Sequence, residues 1–313
     1  MKKDDLRIVF MGTPEFAVPT LKAMVEAGYN VVAVVTQPDK PVGRHGSVLQ
    51  ASQVKQYAQS IGLPVLQPEK MKDPEFVETL RSFEANLQVV VAFRMLPEVV
   101  WAMPAYGTFN VHAALLPQYR GAAPINWAII NGEKQTGVST FFLDHDIDTG
   151  RVIMQKPFAI PDDADVEYVY DGLMQLGADI CLETLQRIIA ADGTPASIPQ
   201  EQLMTAGEEL KSAPKLFKEN CRIDWTQDAE SIHNFVRGLS PIPGAWTMLV
   251  APDGKETVLK IYKAHVGTSS KLVLTAGGGS QLAVDELQLA GKKRMKAADF
   301  LNGMKDFEKY SVR

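Results

Sequence analysis

Leu6-Arg7-Ile8-Val9-Phe10-Met11-Gly12-Thr13-Pro14-Glu15-Phe16 is a β-rich run that ends on a single glycine and turns into a helical pattern. Phe16, Val18, Leu21, Met24 and Val25 then recur at helical spacing, and Gly28 stops them, which predicts a helix over 16–27. The alternation continues outward. Strands are predicted at 31–35 and 64–66, with helices at 52–60 and 73–83. Leu87-Gln88-Val89-Val90-Val91-Ala92 is almost continuously apolar, as a central strand covered on both faces should be. Further strands fit 108–111, 137–143 and 152–158, and a long helix fits 166–191. Strands alternating with helices predict a Rossmann-like α/β fold, a mostly parallel sheet with helices on both faces.

The loop after the first strand is not a dinucleotide loop. Gly12 is its only glycine, and Glu15 would repel a pyrophosphate docking at the helix start. Thr13 reads as the N-cap and Pro14 as the first helical residue. The sheet therefore serves a ligand other than NAD.

From Asp192 to Pro214 the periodicity fails, and Gly193, Pro195, Pro199, Gly207 and Pro214 collect there. The expected organisation is a catalytic domain over 1–192, a linker over 193–214 and a second domain over 215–313. In the last part, strands at 246–250, 257–266, 271–275 and 281–289 are joined by turns at Pro252-Asp253-Gly254 and Gly277-Gly278-Gly279. Strands without intervening helices predict a small, OB-like β-barrel.

The 313 residues are 46% hydrophobic and 22% charged, which excludes a disordered chain and supplies enough apolar surface for two cores. Cys181 and Cys221 have no metal-ligand spacing, so neither a disulfide framework nor a metal site is expected. Met1-Lys2-Lys3-Asp4-Asp5 leads into the first strand without a signal-peptide pattern, and no apolar run reaches membrane-spanning length. A cytoplasmic protein without membrane contact is expected. The net charge of −5 hides an asymmetry: residues 1–210 carry 16 Lys+Arg against 26 Asp+Glu, and residues 211–313 carry 16 against 11. A basic C-terminal third suits a polyanion held by one domain, and also an ordinary solvated surface.

Open parallel sheets bind ligands beyond the carboxyl ends of their strands. Two polar groups fall there: Asn110-Val111-His112, and the acidic turn Asp144-His145-Asp146-Ile147-Asp148-Thr149-Gly150. Asn110 and His112 are two apart on a strand and project to one side. An amide, an imidazole and a carboxylate suit acyl transfer to an amine, stabilising an oxyanion and moving protons without a side-chain nucleophile. The same residues also read as a core histidine, a strand-end cap and turn-forming aspartates, and spacing alone leaves both readings open.

Several blocks in order decide between them. Val9-Phe10-Met11-Gly12-Thr13-Pro14-Glu15-Phe16-Ala17, Gln37-Pro38-Asp39-Lys40-Pro41-Val42-Gly43-Arg44, Asn110-Val111-His112 with Leu115-Leu116-Pro117-Gln118-Tyr119-Arg120-Gly121-Ala122-Ala123-Pro124, and Asp148-Thr149-Gly150 run through the first domain. Ala213-Pro214-Lys215-Leu216 and Arg222-Ile223-Asp224-Trp225 follow in the second. Together they resemble the methionyl-tRNA formyltransferases, within the broader group that transfers formyl from 10-formyltetrahydrofolate.

The resemblance implies a formyl-transfer triad of Asn110, His112 and Asp148. It implies a folate site at Phe93, Arg94, Met95 and Leu96 and at Ala114, Leu115, Leu116 and Pro117. Arg44, Lys211, Lys215 and Lys218 would touch tRNA, the partner would be methionyl-initiator tRNA, and the chain would be a monomer with no metal. In that scheme Asn110 and protonated His112 stabilise the oxyanion, while Asp148 holds the imidazole charged or fixes a water. Two departures stand out: His112-Ala113-Ala114 replaces the family's His-Gly-Ser, and Ala92-Phe93-Arg94 replaces its Ala-Tyr-Gly. The alternative is a folate-dependent formyltransferase acting on a small amino-nucleotide or amino-sugar. An RNA-binding protein without activity is a third reading.

Overall fold

The computed structural model describes residues 1–42, 48–304 and 306–313. In chain order the first strands and helices are β1 (Arg7–Gly12), α1 (Val18–Glu26), β2 (Asn30–Val35), the hairpin β3 (Lys40–Val42) and β4 (Val48–Gln50), α2 (Gln53–Ser60), β5 (Val65–Leu66), α3 (Pro74–Ser82), β6 (Leu87–Val91), α4 (Glu98–Trp101) and β7 (Thr108–His112). Then come β8 (Arg120–Gly121), α5 (Pro124–Ile130), β9 (Gln135–Phe142), β10 (Val152–Ala159) and α6 (Val166–Ala190). The central sheet has the order β10-β9-β7-β6-β1-β2-β5. β1 pairs in parallel with both β2 and β6, β2 with β5, and β6 with β7, whereas β9 runs antiparallel to β7. The chain winds outward from β1 in one direction and then returns to start β6 on its other side, which is the topology that opens a crevice at the carboxyl edge.

Apolar faces seat the helices on this sheet. Ser52 and Asp73 cap α2 and α3 by accepting from the Lys55 and Glu75 N–H groups. Phe76, Val77 and Leu80 of α3 then bury one face against Val9, Met11, Ala33, Val35 and Val90, each such side chain contributing about 1.5–3 kcal/mol. The first helix departs from expectation. Pro14 is extended, a single 3-10 turn over Glu15–Ala17 precedes α1, and the Thr13 hydroxyl caps nothing. It accepts instead from the Thr36 hydroxyl at 3.4 Å and the Gln37 N–H at 3.3 Å. Gly12 is required at this turn, because a Cβ there would lie 2.7 Å from the Ala17 Cβ and 3.0 Å from the Val91 carbonyl.

The second half holds β11 (Ser212–Ala213), α7 (Ala229–Leu239), β12 (Ala245–Val250), β13 (Glu256–Val266), β14 (Leu272–Thr275), β15 (Gln281–Leu289), β16 (Met295–Lys296), α8 (Ala297–Asn302) and β17 (Ser311–Val312). Its antiparallel sheet has the order β14-β15-β13-β12-β17, with β16 on β15. This is the expected barrel in half-closed form: the outer strands β14 and β17 flank a cleft of about 500 Å³ instead of pairing. Strands alone do not make this unit. α7 is an added helix, capped by Asp228, whose Ile232, Val236 and Leu239 sit in the core with Leu259, Ile261 and Leu287.

The chain divides into two compact units that are discontinuous in sequence: residues 1–120, 137–158 and 170–211, and residues 121–136, 159–169 and 212–313. Within the second unit α5 packs on α7, where the Asn126 side-chain amide donates to the Gly238 carbonyl at 2.8 Å. Among the described residues, no helix is long and apolar enough to cross a membrane.

Candidate active site

The end of β7 supplies two of the side chains. Asn110 and His112 share one face of the strand, and His112 is only 6% exposed. Its ring meets Phe141 of the neighbouring β9 edge-on, with centroids 6.3 Å apart. Nε2 lies 2.9 Å from the Tyr119 carbonyl oxygen. A carbonyl only accepts, so Nε2 carries a proton and Nδ1 is the nitrogen left for chemistry. Nδ1 in turn faces the Asp148 carboxylate, with Oδ2 at 3.8 Å. That separation is too long for a hydrogen bond and lies near the outer edge of ion-pair range.

The acidic turn after β9 is built to deliver Asp148. Asp144 Oδ1 accepts from the Thr149 hydroxyl at 2.6 Å and from the Asp146 N–H at 3.2 Å, closing the turn on itself. Gly150 then lies so close to β9 that a Cβ would sit 1.6 Å from the Phe142 carbonyl. Asp148 adopts φ 55°. Ala92 after β6 (φ 47°) and Tyr119 (φ 59°) share that left-handed conformation, so three of the six such non-glycine residues among those described border this site. Backbone strain of this kind concentrates where a structure must hold functional groups in place.

Asn110 Oδ1 is buried and has no hydrogen-bond partner among the described residues. An unpaired buried amide oxygen costs about 1–3 kcal/mol, and an amine N–H of a substrate would satisfy it. The adjoining segments follow neighbouring parallel strands and leave the sheet at the same edge. After β6, Phe93 and Leu96 pack on the core of Val9, Met11 and Val90, Met95 is 71% exposed, and Arg94 donates to the Pro68 carbonyl and, at 2.8 Å, to the Glu69 carbonyl. The Arg94 guanidinium thus ties two loops together, and burial holds its pKa below the ordinary arginine value.

After β7, Ala113 and Ala114 are buried, and Ser139 grips the backbone that follows. Ser139 Oγ accepts from the Leu116 N–H at 3.0 Å and donates to the Ala114 carbonyl at 2.6 Å. Gln155 donates to the Leu116 carbonyl at 2.8 Å. Leu116 and Pro117 are buried, and Leu115 is half-buried, lying over Gly137. Lys211, Lys215 and Lys218 are exposed, Lys215 Nζ standing 5.4 Å from the Phe217 ring centre. Arg44 lies outside the described residues. Ser139, Gln155, the Tyr119 carbonyl and Gln200 also bear on this region, although the sequence singles out none of them: Tyr119 lies in a quoted block but acts through its backbone, Ser139 and Gln155 look like ordinary strand residues, and Gln200 falls in an aperiodic stretch.

A mostly parallel, Rossmann-like sheet with an amide, an imidazole and a carboxylate at its carboxyl edge has the groups that acyl transfer to an amine calls for. The formyl transferase family model matches residues 6–185 and the formyl transferase C-terminal domain model residues 215–305, and the chain belongs to this family. Among curated relatives, the methionyl-tRNA formyltransferase of Parabacteroides distasonis is 57% identical, with all of both chains covered. That of Porphyromonas gingivalis is 48% identical over 97% of each chain. The solved structure of HypX from Aquifex aeolicus in complex with tetrahydrofolic acid matches 97% of this chain at 19% identity and TM-score 0.61, and this chain spans 48% of that one. An N-formyltransferase from Helicobacter canadensis in complex with folinic acid and dTDP-3-aminofucose matches 89% of this chain and 98% of its own at 18% identity and TM-score 0.60. At those identities the two structures speak for the fold alone.

Proposed function

We propose that this protein transfers the formyl group of 10-formyltetrahydrofolate to the α-amino group of methionyl-initiator tRNA, in the cytoplasm and as a monomer. The observation that carries the reading is the His112–Asp148 pair beside an unsatisfied Asn110 amide, in a chain 48–57% identical along nearly its whole length to enzymes of that name. The amine nitrogen attacks the formyl carbon, a C–N bond forms, and the carbonyl electron pair moves to oxygen. The Asn110 amide faces the reacting amine or, through its NH₂, the oxyanion. His112 acts through Nδ1, sharing a proton between the reacting atoms and Asp148. Collapse of the tetrahedral intermediate breaks the bond to N10 of the folate, which takes up the proton. Phe93–Leu96 and Ala114–Pro117 would frame the folate, a substrate and not a resident cofactor, and the chemistry calls on no metal. Arg44, Lys211, Lys215 and Lys218 would meet tRNA phosphates, setting affinity and position.

The test is incubation with 10-formyltetrahydrofolate and charged initiator tRNA, with parallel reactions on an amino-nucleotide and a dTDP-amino-sugar. N-formylation of methionine on the tRNA is the expected product. Formylation of the small amines with none on tRNA overturns the proposed acceptor, and tight tRNA binding without transfer overturns the enzyme reading.

A further inference from the structure

Gln200 begins a 3-10 turn (Gln200–Leu203) in the stretch that reads as a linker, yet it is only 1% exposed. The approach to it is stitched to the start of β10. The N–H groups of Val152 and Ile198 donate to each other's carbonyls at 2.9 and 2.8 Å, and Arg151 donates to the Ser197 hydroxyl at 3.0 Å. The Gln200 side chain then uses its full hydrogen-bonding capacity. Its amide NH₂ donates to the carbonyls of Asp148 and Gly150, both at 2.8 Å. Its Oε1 accepts from Arg120 Nε at 3.0 Å and Nη2 at 2.7 Å.

Two of these bonds end on the backbone of the turn that carries Asp148, and two end on Arg120, the residue after Tyr119. Asp148, facing Nδ1, is held through its own carbonyl in a left-handed conformation that an L residue adopts at a cost. Arg120 follows Tyr119, whose carbonyl accepts a hydrogen bond from Nε2–H, and Tyr119 donates its own N–H to the Lys211 carbonyl at 2.7 Å. We infer that Gln200 is a positioning residue for formyl transfer: one buried amide ties the backbone of the carboxylate to the strap that fixes the tautomer of His112. With both amide protons and the amide oxygen engaged, it has no bond left for a substrate, so it acts through His112 and Asp148.

The inference rests on the proposed reaction, and its test separates the two. Gln200→Glu keeps size and the Arg120 contact but sets a carboxylate oxygen against two carbonyls. Gln200→Met keeps volume and removes every bond, and Arg120→Lys weakens only the tautomer side. For Gln200→Glu and Gln200→Met, kcat should fall on the order of 10²-fold, as a misplacement near 1 Å does, with KM for both substrates nearly unchanged. Arg120→Lys should lose less. The ¹⁵N resonances of the His112 ring, read without substrate, should show an Nε2–H tautomer in the wild type and a changed pattern in the Gln200 variants. Folded variants that keep the wild-type kcat or ring pattern overturn the inference. If Gln200→Glu fails to fold, the same readouts on Gln200→Met and Arg120→Lys decide. A wild type that formylates no tRNA, while Gln200→Glu still alters the ring pattern, overturns the acceptor and leaves the positioning role standing.

Discussion

Asp148→Asn isolates the charge of the carboxylate from everything else that residue does. Asn has nearly the same shape and, like Asp, tolerates the left-handed backbone that Asp148 adopts at φ 55°. The backbone carbonyl that receives Gln200 is untouched. What disappears is the attraction between a carboxylate and an imidazolium forming at Nδ1, 3.8 Å away. At an effective dielectric constant near 20, appropriate to two groups this shielded, that attraction is about 4 kcal/mol. If most of it develops in the transition state, kcat should drop by about 10²–10³-fold. The assay is single-turnover formyl transfer at saturating folate and methionyl-tRNA, which separates the chemical step from product release. A rate within threefold of wild type, with the protein folded and saturated, would refute the role given to Asp148.

Asn110→Ala should cost on the order of 10²–10³ in kcat, the usual loss for one oxyanion-type donor; a change confined to KM would make it a binding residue instead. Gly150→Ala forces a Cβ to 1.6 Å from the Phe142 carbonyl, so we expect a loss of about 1–3 kcal/mol in stability, seen as a lower Tm, and a falling kcat as Asp148 is displaced. Asp39 accepts hydrogen bonds from Lys55 at 2.7 Å and Gln67 at 2.7 Å, and the Lys55 bond chiefly, then the Gln67 bond, hold its carboxyl below the ordinary carboxylate range. A folded-state pKa below the unfolded one gives stability that is present above the ordinary value of 3.8 and is lost as pH falls through the lowered one. The denaturation midpoints of wild type and Asp39→Asn should therefore differ at neutral pH and converge in acid; curves that stay parallel to pH 2 would remove this pair from the account.

Much of the first unit was legible because local rules and burial agree there. The β-branched run from Val89 to Val91 fits a covered strand, Ser52 and Asp73 stand where helix caps belong, and the i, i+2 spacing of Asn110 and His112 places them on one face. At the start of the first helix Thr13 and Pro14 satisfy a capping pattern, but tertiary contact with Thr36 and Gln37 takes the hydroxyl away. α7 escaped notice although Asp228 followed by Ile232, Val236 and Leu239 carries a helical signature, since the strands beyond it dominate the pattern.

The sequence by itself determined the family and the alternation that makes the sheet, and its resemblance to that family singled out Asn110, His112 and Asp148 as candidates. Only the tertiary structure decided how they meet. Nothing in the order of residues says that the Tyr119 carbonyl accepts a hydrogen bond from Nε2, that Nδ1 is therefore the nitrogen turned to Asp148, or that a glutamine 52 positions beyond Asp148 holds its backbone. Those outcomes depend on hydrogen bonds between segments far apart along the chain. A polar side chain in an aperiodic stretch carries no local mark of whether it will be buried and paired or left in water.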